Sequence, residues 1–122
     1  MGARILVVDD DQMNLMRAKM ILSKGGYEIL TADSGEAALE CVNAECVDLL
    51  LLDIEMPGMS GIETLEKLRA TDKGAGLPAL FMTGTYEEEQ MEQGKRLGLL
   101  DCVKKPFLPV KILEQIEAAL ER

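Results

Sequence analysis

Five short apolar runs recur along this chain, and the segments between them carry apolar residues at helical spacing. The runs are ILVV (5–8), YEILTA (27–32), VDLLLLD (47–53), LPALFMT (77–83) and LLDCVKK (99–105). Each has the length of a strand and is bounded by turn or charged residues. Strands that alternate with helices return to their sheet through right-handed crossovers, which places helices on both faces of a parallel sheet. The four consecutive leucines at 49–52 fit that arrangement, because a central parallel strand is buried on both sides. The pattern therefore predicts an α/β fold.

The helical segments differ in quality. In the first, Met13, Leu15, Met16, Met20 and Ile21 form a stripe that ends at Gly25 and Gly26, a helix stop. The methionines at 13, 16 and 20 are expected to face the core. The second opens at Ser34 with Ala37, Ala38, Leu39 and Val42, and the third follows Ser60 with Ile62, Leu65 and Leu68. The last begins near Pro109 with Val110, Ile112, Leu113, Ile116 and Leu120. The fourth, YEEEQMEQGKRLG (86–98), has few apolar positions, and Gly94 costs about 1 kcal/mol relative to Ala inside a helix. It is expected to be short or mobile, with Glu87, Glu88 and Glu89 forming a solvated start favoured by the helix dipole.

Composition closes off several function classes. At 122 residues the chain is expected to be a single domain over 1–122, with no output domain in this chain. Its apolar runs fall short of the roughly 20 residues a membrane-spanning helix needs, and MGARILVVDDD lacks a signal-peptide layout. A cytoplasmic protein with no membrane role is expected. The three cysteines Cys41, Cys46 and Cys102 have neither paired nor CxxC spacing, so they are expected to be small buried hydrophobes. A net charge of −9 opposes direct nucleic-acid binding. The chain also has no histidine, which removes Ser-His-Asp catalysis, His-ligated zinc and His proton shuttling together.

Ligands in open α/β sheets sit outside the carboxyl ends of the strands. On this reading Asp9 and Asp10 close the first strand, Asp53 the third, Thr83 the fourth and Lys105 the fifth. A single carboxylate at a strand end is most often a solvated loop residue or a helix cap, and Asp11 is read as such a helix start. Five polar residues on one sheet edge are a different matter. Three close carboxylates repel one another unless a cation neutralises them, and a hard divalent ion such as Mg²⁺ favours carboxylates, waters and a phosphate oxygen. Lysine supplies a point charge for a phosphoryl oxygen, threonine a hydroxyl donor, and a carboxylate can itself become an aspartyl phosphate. The set describes a metal-assisted phosphoryl acceptor.

Residues 4–121 resemble a receiver domain of bacterial two-component response regulators, with VVDDD (7–11), LLLLDIEMPGMSG (49–61), FMTG (81–84) and KKPF (104–107) in the family's order. The combination is specific, although each fragment alone is weak. The resemblance implies a flavodoxin-like five-stranded parallel sheet in the order 2-1-3-4-5 with five helices on both faces. It implies that Asp53 accepts a phosphoryl group from a phosphohistidine on a sensor histidine kinase or a histidine phosphotransfer protein, and that phosphorylation alters a face used by a downstream protein target or output domain. Mg²⁺, with Mn²⁺ able to substitute, would be held by Asp10 directly, Asp9 through water, Asp53, and the backbone carbonyl of Glu55. Thr83 and Lys105 would contact the phosphoryl oxygens, with Lys104 an exposed neighbour and Lys105-Pro106 resembling the family's cis peptide.

Two positions depart from the family's pattern: Cys102 stands where a Tyr or Phe is usual, and Gly98-Leu99 where Gly-Ala is usual. These bear on signalling geometry, not on the acidic set. Three function classes stay open at this level: a phosphorylation-switched module that promotes only its own aspartyl phosphorylation and dephosphorylation, a magnesium phosphohydrolase, and a pseudo-receiver that works by contact alone. The DIEMP stretch (53–57) lacks the DxDxT pattern usual in the second class.

Overall fold

The computed structural model describes residues 2–85 and 87–121. Tyr86, at the head of the predicted fourth helical segment, lies outside them, as do Met1 and Arg122. Strand and helix alternate throughout: β1 (Arg4–Val8), α1 (Gln12–Lys24), β2 (Glu28–Ala32), α2 (Gly35–Ala44), β3 (Leu49–Asp53), α3 (Gly61–Arg69), β4 (Ala79–Thr83), α4 (Glu88–Arg96), β5 (Asp101–Lys104) and α5 (Pro109–Leu120). The five strands form one parallel sheet in the order β2-β1-β3-β4-β5. Among the described residues no helix is long and apolar enough to cross a membrane.

The sheet separates two cores by the period-two alternation of its side chains. Ile5, Val7, Leu49, Leu51, Leu80, Met82 and Val103 pack with Leu15, Ala18 and Leu22 of α1 and with Ile112, Ile116 and Ala119 of α5. Their neighbours Leu6, Val8, Leu50, Leu52, Ala79 and Phe81 face α2, α3 and α4. Burial of this apolar area, at about 25 cal/mol per Å², is the main stabilising term. Helix starts are capped where the sequence offers an oxygen: Asp11 caps α1, Ser34 caps α2, and Ser60 with Glu63 makes a reciprocal capping box at α3. Glu87 makes no such bond at α4.

Three expectations need correction. Met13, Met16 and Met20 are not core residues. They are 71%, 60% and 59% exposed, and Leu15, Ala18 and Leu22 bury α1 instead. Both sets have helical spacing, and sheet contact selects the branched and small residues that pack closely. The cysteines are not fully buried either: Cys41 and Cys102 are half-buried and Cys46 is exposed. Finally, α4 is short, as expected, but Gly94 is no mere weak point. A Cβ there would lie 2.7 Å from the Phe81 ring and 2.8 Å from Leu99 Cδ2, so glycine is what lets the helix lie close on the sheet.

Candidate functional site

The carboxyl edge of the sheet gathers charge that the strands cannot shed. Asp53 is the last residue of β3 and continues the parity of Leu49 and Leu51, while Asp9 lies one residue beyond β1 on the parity of Ile5 and Val7. Lys105, one residue past β5, follows Val103 in the same way. The three therefore meet: Lys105 Nζ is 2.9 Å from Asp9 Oδ2 and 3.1 Å from Asp53 Oδ1. Asp9 is wholly buried and Asp53 is nearly so. The Asp11 amide donates to Asp9 Oδ1 at 2.9 Å, and Asp9 Oδ2 faces the ammonium.

One ammonium shared by two buried carboxylates leaves negative charge in excess. Burial is the main reason that the Asp53 carboxyl is pushed up to about 6; the Asp9 charge adds to this, and Lys105 offsets only part of it. For Lys105, burial pulls the ammonium down, but its hydrogen bonds and charge pairing with Asp9 and Asp53 outweigh that and raise it. Exposed Asp10 completes a cluster in which carboxylate oxygens of Asp9, Asp10 and Asp53 lie within 4.8 Å of one another. Oxygen-only donors and an excess of negative charge over the one ammonium suit a hard divalent cation. Glu55 sits two residues beyond β3 with an exposed side chain, leaving its carbonyl as the group of interest.

The remaining residues frame this cluster. Gly61 opens α3 against the end of β3: its amide donates to the Ile54 carbonyl at 2.8 Å, and a Cβ there would collide with the Asp53 carbonyl oxygen. Thr83 ends β4 and is buried, but its hydroxyl is turned to the following loop, donating to the Thr85 carbonyl at 2.7 Å and accepting from the Thr85 amide at 3.1 Å. That tie to Thr85 was not anticipated, although the T-G-T spacing at 83–85 is a usual source of such hydroxyl turns. Lys104 is exposed, Lys105-Pro106 is cis, and Cys102 is half-buried on β5. Burial, with the charge of Asp101, pushes the Cys102 thiol up to about 11.

Comparison with known proteins adds a family to this geometry. The family model of the response regulator receiver domain matches residues 5–117. The chain is 35% identical over its whole length to the alkaline phosphatase synthesis transcriptional regulatory protein PhoP of Bacillus subtilis, of which it covers 50%. It thus spans about half the length of that regulator. Among solved structures, it superimposes on the Vibrio cholerae chemotaxis protein CheY4 with a TM-score of 0.94 at 29% identity, covering 98% of this chain and 100% of that one. A CheY-like receiver domain protein from Methanospirillum hungatei gives 0.91 at 33% identity, covering 99% and 95%.

Proposed function

This chain belongs to the response regulator receiver domain family, the phosphorylation-switched modules of two-component signalling, and from that premise we propose that Asp53 is its phosphoryl acceptor. The observation that carries the proposal is the buried pair of carboxylates, Asp9 and Asp53, held around the single ammonium of Lys105. An Asp53 oxygen attacks phosphorus, the bond from phosphorus to the imidazole nitrogen of the donor breaks, and the leaving imidazole takes a proton from solvent. Lys105 then exchanges a carboxylate oxygen for a phosphoryl oxygen, and the Thr83 hydroxyl can donate to another only by giving up the Thr85 carbonyl. That exchange links chemistry at Asp53 to the loop leading into α4.

Asp9, Asp10 and Asp53, with the Glu55 carbonyl, would hold a divalent ion, with Mg²⁺ preferred and Mn²⁺ able to replace it. When bound, such an ion neutralises the carboxylates and the incoming phosphoryl group. The phosphodonor in this reading is a histidine kinase or phosphotransfer protein in the cytoplasm, and the receiver of the signal is a protein target or output domain. Residues 1–122 act as one receiver domain, promoting only their own phosphorylation and dephosphorylation.

The test is intact-mass spectrometry after incubation with acetyl phosphate or phosphoramidate and Mg²⁺. One phosphoryl group is expected, hydroxylamine-sensitive and lost on Asp53→Asn, because the amide keeps the shape but not the nucleophile. Equal labelling of wild type and Asp53→Asn would refute the assignment. Turnover of unrelated phosphomonoesters would instead favour a phosphohydrolase.

A further inference from the structure

A cavity of about 490 Å³ opens at the amino edge of the sheet, the edge away from Asp53. The loop before β4, the segment between α4 and β5, and the end of α5 enclose it. Leu77, Pro78, Leu97, Leu100 and Ala119 form its apolar wall, and Arg69 and Arg96 supply its charge. Pockets that take small organic molecules span roughly 300–1,000 Å³ and combine such an apolar lining with a few polar groups.

Charge narrows what fits the cavity. The chain has 22 Asp and Glu residues, yet among the described residues no carboxylate lines this space. Neither Arg69 nor Arg96 has a carboxylate partner among the described residues. Arg69 is half-buried, with Nε bonded to the Leu97 carbonyl and Nη1 to those of Gly74 and Leu77. Its Nη2 makes no hydrogen bond among the described residues. A Cβ on Gly98 would stand 3.4 Å from Nη2, so a glycine at φ 84° keeps this nitrogen uncrowded. Burial disfavours a guanidinium that lacks a counter-anion, and an anion at Nη2 would relieve it. The Leu97 carbonyl at the end of α4, which would repel an anion, is already turned to Arg69.

We propose that this cavity binds a small organic carboxylate with a flat apolar body, its carboxylate between Arg69 Nη2 and Arg96 and its body against Leu77, Pro78 and Leu100. An inorganic anion would leave the apolar wall bare, and a neutral apolar molecule would leave both guanidinium groups unpaired. Arg69 offers one free nitrogen, which suits a carboxylate shared with Arg96 better than a phosphate that takes several donors. Because Arg69 ties the end of α4 to the loop before β4, an occupant steadies both segments. Binding here is independent of the chemistry proposed for Asp53, which lies at the other edge.

The protein has no tryptophan, so the fluorescence of 2-naphthoate reports its own binding. A dissociation constant on the order of 0.1 mM is expected, with neutral 2-naphthamide about ten-fold weaker. In an NMR titration the amide shifts should centre on Gly76, Leu97 and Gly98. Arg96 is exposed and bonded to nothing among the described residues, so Arg96→Gln should weaken naphthoate about ten-fold with the urea midpoint unchanged. A Cβ on Gly76 meets nothing within 4 Å, which lets Gly76→Asp set a carboxylate at the cavity mouth. That variant should also lose about ten-fold, while Gly76→Asn should bind like wild type. Equal binding of naphthoate and its amide, or an affinity unchanged in both Arg96→Gln and Gly76→Asp, would overturn the site. So would displacement of naphthoate by inorganic phosphate at equal concentration, the mark of a bare anion site, or shifts confined to the carboxyl edge.

Discussion

The two edges of the sheet handle buried charge in opposite ways. At the amino edge, the Arg69 guanidinium donates to the carbonyls of Leu97 at 2.6 Å, Gly74 at 2.8 Å and Leu77 at 2.6 Å, joining the end of α3 to the loop before β4 and to the end of α4. Arg4 is likewise engaged, with Glu45, Glu28 and the Cys46 carbonyl. Burial pulls the Arg69 guanidinium down from its ordinary value, and carbonyl dipoles at the helix ends compensate it. At the carboxyl edge, by contrast, Asp53 is pushed up to about 6, and it shares a single ammonium with Asp9. One edge fastens the fold; the other keeps an excess of negative charge that a bound cation can relieve.

If that contrast holds, the largest loss of stability comes from the fastened edge. Arg69→Ala leaves three half-buried carbonyls without their donor and should cost about 2 kcal/mol in urea unfolding, with Arg69→Lys recovering only part. A change below 0.5 kcal/mol would mean that the carbonyl cluster is held by the loop alone.

The conflicted edge should behave with the reverse sign. In metal-free protein the Asp53 carboxyl takes up its proton more readily folded than unfolded, so between about pH 4 and pH 6 the native state binds more protons. Stability should therefore fall as pH rises through that window, by about 2 kcal/mol, and stay lower above it. Asp53→Asn should flatten this slope and be the more stable protein at pH 7. Lys105→Ala, which removes the compensating charge, should carry the descent to higher pH. A slope unchanged in Asp53→Asn would place the titrating group elsewhere.

Relief by an ion is a smaller effect. Mg²⁺ at ten times its dissociation constant should add about 1.4 kcal/mol to the folded state, and Asp10→Ala should remove the gain in calorimetry. Should Asp10→Ala respond to Mg²⁺ like wild type, the ion is held by other residues. The least change is expected at Lys104 and Cys102. Lys104→Ala on the exposed face should shift stability by under about 0.5 kcal/mol. The Cys102 thiol, pushed up to about 11, should alkylate with iodoacetamide much more slowly than exposed Cys46. Cys102→Ser should leave Asp53 labelling unchanged. A large loss of labelling there, with stability intact, would make the thiol part of the site.

Much of this was legible in residue order, because strand parity and helix spacing are local. LLLLD announces a doubly buried strand ending in a carboxylate, and the candidate site residues lie at the ends of β1, β3, β4 and β5. Not legible was which of two helical stripes on α1 would be covered. Leu15, Ala18 and Leu22 and the methionines at 13, 16 and 20 have similar periodicity, and only docking against β1, β3 and α5 separates them. Nor did spacing reveal that Gly94 clears the Phe81 ring, or that Arg69 reaches Leu97, since those contacts join different elements.

The sequence by itself determined the α/β alternation, the acidic strand ends and the absence of any histidine, all of which depend on residue identity and short-range periodicity. Tertiary structure alone decided that Asp9 and Asp53 share one ammonium, that Thr83 is held by Thr85, and that the methionines face outward. The first and last of those outcomes depend on distances between elements far apart in the chain, and these are set only when apolar burial against the sheet fixes how the helices lie; the Thr83 tie is a local turn whose direction the sequence leaves open.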